Sequence, residues 1–267
     1  MASGFLLPNV LLTNDDGIDA PGLKVLAEVA GEIARDVWIV APEHEHSGAS
    51  QSLSLCRPIR CTAMGEKRIA VDGSPGDCIA LALSHFMAKA RPSLILSGVN
   101  AGSNTGEEVN MSGTIGAALI ALMLDVPAIA ISQACKDRLQ APWETTRAVL
   151  PKVLRHLLTQ GWRKETCLSV NIPDVPPGKI TGFSWARQSQ KNVAAIKAEK
   201  RISPRHEDYF WLTLTLKTPS GAANSEGAIM RRNEVAVTAL SLDRSVEITK
   251  PSVAFGDTET MADDDDE

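Results

Sequence analysis

The sequence predicts an α/β fold: a mostly parallel sheet flanked by helices, followed by a smaller β-rich carboxyl-terminal region. Up to about residue 160, short β-branched or apolar runs alternate with stretches of helical periodicity, which is how strands covered by helices read. The runs end in turns of Gly, Pro, Asn and Asp, so each strand has a clear carboxyl end. After Pro173–Gly178 the rhythm changes to strand-like segments separated by longer polar stretches.

Val10–Thr13 reads as the first strand, and Leu23, Leu26, Ala27, Ala30 and Ile33 recur on one face of the helix after it, with Asp19 as its N-cap. Val37–Val40 is the second strand and ends in a polar loop over Glu43–Ser54. Arg68–Asp72 is a further strand. Ser74-Pro75-Gly76-Asp77 then starts a helix running to Lys89, because serine caps, proline suits the first turn and the aspartate completes a capping box. Leu94–Ser97 is a buried strand that opens into the small polar loop Gly98–Gly106. Ser112-Gly113-Thr114 opens a helix over Ile115–Leu124, and Pro127–Ser132 and Pro142–Leu158 supply another strand and helix. Cys167–Ile172 follows, and Trp211–Leu216 and Glu234–Leu240 read as antiparallel strands. The expected organisation is a core over 1–175, a β-rich rim over 176–260, and a disordered acidic tail over 261–267.

The chain of 267 residues is long enough for a substantial core. No apolar run reaches the roughly 20 residues of a membrane span, and Met1–Leu12 lacks a basic leader region, so the expected location is the cytoplasm. Five cysteines with no C-x-x-C pair disfavour a disulfide framework and a structural zinc site, leaving reduced, buried thiols. The formal charge of -5 matches the five acids of Asp263–Glu267, so the remainder is near neutral and carries no footprint for duplex nucleic acid.

The chemistry concentrates at Asp15 and Asp16, adjacent acids where the first strand ends and Gly17 turns the chain. Two carboxylates this close stay ionised in a partly buried site only if a cation or donors compensate. In an open α/β sheet ligands bind beyond the carboxyl ends of strands, where four polar segments fall: Asp15-Asp16, the Ser47 loop, Asn100–Asn104 and Ser112–Thr114. Carboxylate, hydroxyl and amide oxygens suit Mg²⁺ or Mn²⁺. A helix start at Ser112-Gly113-Thr114 adds backbone N–H groups and a positive dipole end, which a phosphate requires, although such a start alone is an ordinary N-cap. His44-Glu45-His46 fits no zincin spacing and reads as a surface loop. The basic residues of 191–205 lack interleaved aromatics and read as a solvated face.

Taken together, VLLTNDDGIDAPGL, VAPEHEHSGASQSL, VDGSPGDCIALAL and LSGVNAGSNTGEEVNMSGTIGAA resemble the SurE survival-protein family, densely from Val10 to Leu158 and more thinly through SVNIPDVP and EVAVTALSLD. That resemblance implies a metal-dependent 5'/3'-nucleotidase with a Rossmann-like core, a carboxyl-terminal subunit-exchange region, and a homodimer or homotetramer. Carried over by position, one divalent ion per subunit would be held by Asp15, Asp16, Ser47 and Asn100, and the substrate phosphate by Asn104, Ser112, Gly113 and Thr114. Asp19, His46, Glu107-Glu108 and Met111 depart from the family's usual residues, which bears on substrate preference and pH response.

The expected reaction is hydrolysis of a nucleoside monophosphate to nucleoside and phosphate, with a carboxylate of the Asp15-Asp16 pair orienting or deprotonating water. Short polyphosphate is a further candidate substrate. A receiver domain would need a phosphate-accepting aspartate at a later strand end, and none is clear at Ala41-Pro42 or Ser97–Asn100. A phosphatase with an aspartyl nucleophile normally spaces its two aspartates by one residue. A non-catalytic nucleotide or polyphosphate binder is the remaining alternative, separable by turnover.

Overall fold

A computed structural model describes residues 5–190, 193–217 and 221–246. In chain order the elements are β1 (Leu7–Thr13), α1 (Pro21–Gly31), β2 (Ala34–Pro42), β3 (Cys61–Gly65), β4 (Arg68–Val71), α2 (Pro75–Leu81), β5 (Ile95–Ala101), α3 (Gly113–Met123) and β6 (Ala128–Gln133). They continue with α4 (Trp143–Gln160), β7 (Thr166–Ile172), β8 (Gly182–Ala186), β9 (Val193–Ile202), β10 (Asp208–Leu216), α5 (Glu226–Arg231) and β11 (Glu234–Ser241).

Nine strands form one sheet in the order β3-β4-β2-β1-β5-β6-β7-β11-β8. From β4 to β7 every neighbouring pair is parallel. The chain builds outward from β1 through β2 to β4, then crosses to the other side of β1 with β5. The reversal opens a crevice between the carboxyl ends of β1 and β5, where an α/β sheet receives its ligand.

Both sheet faces are covered. Val10 and Leu12 of β1 pack on one face with Leu23 and Leu26 of α1 and Leu150 and Leu154 of α4. Leu11 points the other way, among Ile79 of α2 and Ile115 and Ile120 of α3. Alternate residues serve opposite cores, so β1 reads as an unbroken apolar run. Each of these fully buried leucines contributes roughly 1.5–3 kcal/mol relative to exposure, and Leu12→Ala would cost about 2–5 kcal/mol with the cavity included.

Several elements differ from the sequence expectation. Ala20, not Asp19, is the N-cap of α1, and Asp19 pairs with Arg68 at 2.7 Å. The Ser74 capping box is present, but α2 gives way to a π-helical turn at Ala82–Phe86 rather than running to Lys89. β5 continues through Gly98-Val99-Asn100, which read as loop, because β6 pairs with it as far as Ala101–Gln133. β3, an exposed edge strand, was not expected. Cys78 and Cys167 are buried thiols, whereas Cys56 and Cys61 are exposed.

The boundary expected at 175 falls just after β7, and the sheet continues across it through β11 and β8. β11 is antiparallel to β7 and parallel to β8. β9 and β10 pair only with each other among the described residues, as an antiparallel hairpin that includes much of the basic 191–205 stretch. The acidic tail over 261–267 lies outside the described residues. Among the described residues no helix is long and apolar enough to cross a membrane.

Candidate active site

The Asp15-Asp16 turn is held from both sides. Asn14 Nδ2 donates to the Gly17 carbonyl at 2.8 Å, and the Ile18 amide donates to the Pro42 carbonyl at 2.7 Å. Gly17 has φ +103°, a conformation that L side chains rarely adopt, so the turn follows the acids directly. Asp15 is 4% exposed. Its Oδ1 accepts a hydrogen bond from Thr114 Oγ1 at 2.5 Å, and the Thr114 backbone amide also serves that carboxylate. A Cβ on Gly113 would lie 2.8 Å from Asp15 Cβ and 2.9 Å from its Oδ2, so glycine is what lets the start of α3 approach.

The electrostatics of the pair call for positive charge. Burial pushes the Asp15 carboxyl up to about 6; the Thr114 hydrogen bond opposes this and the Asp16 charge adds to it. Burial also raises Asp16, against the Arg138 guanidinium and the Ala101 amide, which pull it down. Arg138 Nη2 lies 2.7 Å from Asp16 Oδ1, and the Ala101 amide lies 3.3 Å from Oδ2.

The other two expected metal ligands lie on segments joined to this turn. The His46 amide donates to the Asp15 carbonyl at 2.7 Å, which brings the Ser47 loop against the acids. That loop is fastened in turn by the Ser50 amide to the Met111 carbonyl at 3.0 Å and by Ser50 Oγ to the Asn110 carbonyl at 2.8 Å. Ser47 Oγ donates to Glu45 Oε1 at 2.7 Å, an arrangement that keeps the serine lone pairs as acceptors. Asn100 sits near the end of β5, beside the Ala101 amide that bonds Asp16. Its Nδ2 donates to the Gly102 carbonyl at 2.8 Å, which leaves Oδ1 as its cation donor.

The residues fit a hard divalent cation. Among the described residues no three of His, Cys, Asp and Glu come together as a metal cluster. A cation here would therefore rest on two carboxylates completed by hydroxyl and amide oxygens, a donor set for Mg²⁺ or Mn²⁺ rather than zinc. Burial of Asp15 and the shared position of the two carboxylates make positive charge favourable here.

The residues expected to meet phosphate are gathered at the same edge, but their side chains have internal partners. Ser112 Oγ accepts from the Ile115 amide at 3.1 Å as the N-cap of α3, and the Thr114 hydroxyl serves Asp15. Asn104 Nδ2 donates to Ser132 Oγ at 2.9 Å, and its backbone amide donates to Asn171 Oδ1 at 2.8 Å. Gly113 contributes backbone alone at the first turn of α3.

Sequence reasoning missed Arg138, Glu45 and Glu226. Arg138 follows β6 in a short 3-10 turn, Arg138–Gln140, so it lies beyond the same sheet edge as the other four segments. Extending the strand-end rule to β6 would have found it. The buried Glu226 accepts from the Gly106 amide at 2.9 Å and the Ser189 amide at 3.0 Å, binding the Asn104 loop to the carboxyl-terminal region. A cavity of about 550 Å³ lies at the opposite, amino ends of β5–β7, lined by Leu94, Pro127, Trp162 and Thr166 among others, and shares no residue with this site.

Comparison with known proteins shows the family and the fold. The family described as "Survival protein SurE" matches residues 10–195. A Burkholderia lata protein named 5'-nucleotidase SurE 1 is 46% identical over 240 residues, covering 90% of this chain and 93% of that protein. The 5'-nucleotidase SurE of Parvibaculum lavamentivorans is 37% identical, with 90% and 88% covered. The crystal structure of the SurE protein from Aquifex aeolicus superimposes with a TM-score of 0.76 at 30% identity, covering 89% of this chain and 95% of that one. With paired acids at the switch point of the sheet and a family match that spans most of the chain, the protein belongs to the SurE survival-protein family.

Proposed function

We propose that this protein is a 5'-nucleotidase, a phosphomonoesterase that hydrolyses nucleoside monophosphates to nucleoside and inorganic phosphate. The observation that carries this reading is the pair Asp15-Asp16 at the crevice between β1 and β5, Asp15 buried with the amino end of α3 against it and Asp16 partly buried beside it. It lies in a chain similar over nine-tenths of its length to proteins named 5'-nucleotidase SurE. Substrate scope extends in this proposal to 3'-monophosphates and short polyphosphate.

Asp15, Asp16, Ser47 and Asn100 would hold one divalent ion per subunit, Mg²⁺ or Mn²⁺, whose chemistry when bound is to polarise a phosphoryl oxygen and acidify water. Asp15 is the carboxylate we assign to orient and deprotonate the attacking water, since it is the acid of the pair that lies against the first turn of α3, where the phosphoryl group would sit. The Gly113 backbone N–H and the second hydrogen of the Asn104 side-chain amide, whose first is given to Ser132, would steady the negative oxygens of the phosphoryl group. Glu226 keeps the Asn104 loop in place from behind.

The division of labour we propose gives residues 1–175 the chemistry and part of 176–260 subunit contact, in a cytoplasmic homodimer or homotetramer. The hairpin supports this. Cross-strand pairs put Phe210, Leu212 and Leu214 on one face with Ile196, Ala198, Ile202 and the Lys200–Asp208 ion pair, while Tyr209, Trp211, Thr213, Lys197 and Glu199 share the other. The apolar face is exposed, with Leu212 at 72%. Exposed apolar area of this kind marks a surface that another surface covers.

Phosphate release from a panel of nucleoside 5'- and 3'-monophosphates, with Mg²⁺, Mn²⁺ or chelator, tests the assignment. Release should require the metal and fall more than about a hundredfold in Asp16→Asn, which removes a charged ligand. Undiminished hydrolysis by that variant would refute the site, and nucleotide binding without release by the folded wild type would favour a binding protein.

A further inference from the structure

Arg138 touches both carboxylates at the mouth of the site. One nitrogen lies 2.7 Å from Asp16 Oδ1 and the other 3.3 Å from Glu45 Oε1, the same oxygen that accepts from Ser47 Oγ. The arginine side chain is 52% exposed, whereas Asp16 is 14% exposed, so the guanidinium covers a carboxylate sunk below it. The Asp137 carboxylate accepts from the Leu139 amide at 2.9 Å and pins the turn that carries Arg138.

Two observations on this contact conflict with a fixed salt bridge. The Asp16 oxygen that Arg138 occupies belongs to the carboxylate assigned to the metal, and a divalent cation beside a guanidinium is repelled by it. The pair is also open to solvent on the arginine side, where an ion pair gives up little when it opens. An arginine displaced from Asp16 remains tethered beside Glu45, in a crevice about to receive a doubly charged phosphoryl group. Its planar fork of donors matches two phosphate oxygens at once.

We propose that Arg138 is a substrate-binding residue with two positions: it neutralises Asp16 until a divalent cation takes that carboxylate, and then pairs with the phosphoryl oxygens of the substrate, with Glu45 retaining it at the mouth. This rests on the reading of the site as a metal-dependent phosphomonoesterase. Arg138 thus competes with the metal and cooperates with the substrate. Glu45, which bonds both Arg138 and Ser47, is the positioning residue through which the two are coupled.

The test is Mn²⁺ binding by isothermal titration to wild type, Arg138→Met and Arg138→Lys, followed by inorganic phosphate binding to each Mn²⁺-loaded protein. Arg138→Met should bind Mn²⁺ about threefold to tenfold more tightly, because the competing cation is gone, and phosphate roughly tenfold more weakly. Arg138→Lys should lie between, since an ammonium keeps the charge without the fork. Unchanged or weaker Mn²⁺ affinity in Arg138→Met, or unchanged phosphate affinity, overturns this proposal alone. A wild-type protein that binds no Mn²⁺ overturns it together with the metal reading of the site.

Discussion

The carboxyl edge of the sheet and the β9–β10 hairpin dispose of polar and apolar groups in opposite ways. At the edge, polar side chains are buried: Asp15, Asn104, Ser112 and Thr114 are all withdrawn from solvent, and each has a hydrogen-bond partner inside the chain. In the hairpin, apolar side chains are exposed, with Ile196 and Phe210 each more than half open. Asp15 is buried with no cationic partner of its own among the described residues, and an ion can supply that charge. An exposed apolar face lacks cover, which only another surface can supply. Fold and family thus leave the protein incomplete in two different senses, and each can be probed without disturbing the other.

Of the changes that probe this comparison, the largest effect is expected at Gly113, where the start of α3 rests on Asp15 itself. In Gly113→Ala the new methyl would sit 2.8 Å from Asp15 Cβ, closer than real Cβ contacts come, so either α3 or the Asp15 carboxylate must shift. A displacement of about 1 Å in a catalytic group can cost on the order of a hundredfold in rate. Turnover should fall by about that factor, while urea unfolding shows a loss of only about 1–3 kcal/mol from overpacking. Wild-type turnover in a folded Gly113→Ala protein would break the link between the helix start and the acid.

Asp15 gives the next effect, and its sign distinguishes a charge-starved site from an ordinary salt bridge. Its folded pKa of about 6 lies above the ordinary 3.8, so folding favours the protonated form. That stabilisation is complete below the unfolded value and is lost as pH rises through the folded one. In chelator, Asp15→Asn should therefore match wild type near about pH 4 and exceed its stability by about 1–3 kcal/mol near pH 8. Mn²⁺ at saturating concentration should reverse the order at the higher pH, because only wild type gains the full binding free energy. Denaturant melts at both pH values, with and without metal, measure all four quantities. Greater metal-free stability of wild type at high pH would show that Asp15 is already compensated.

How much of this was legible in the sequence follows from the range of the interactions. β1 and its acids were readable because Leu11 and Leu12 are buried on opposite faces, making a run that stops abruptly at charge. α2 was readable at its start because Ser74 and Asp77 cap each other within three residues. Its end was not, since nothing local signals the π-helical turn. Gly98-Val99-Asn100 has turn-like composition, yet β6 draws it into the sheet. Arg138 reaches Asp16 across 122 residues of chain, and no spacing rule spans that distance. Asp19 was read as a cap because it stands in the right place, but Arg68, also distant in sequence, takes it instead. The candidate acids were thus visible where they lie at a strand end; Arg138 also follows a strand end, but its pairing with Asp16 is tertiary and no local pattern shows it.

The hairpin should show the smallest effect on the fold and a clear one on assembly. Phe210 and Leu212 lie on its apolar face, opposite Lys200 and Ala198, and neither is buried in a core of its own chain. Replacing both with serine removes apolar surface that is already in water, so within one chain stability should change by no more than about 0.5 kcal/mol each. If the face is covered by a second copy, that same change strips the centre of an interface, where burial of a large apolar side chain contributes roughly 1.5–3 kcal/mol. Light scattering behind size exclusion should then show the wild type as a dimer or tetramer and the double variant as a smaller species with its thermal midpoint extrapolated to low concentration unchanged. A wild type that remains a single chain at all concentrations would leave the apolar face without a homomeric role, and the completeness of the active site would then rest on the sheet edge alone.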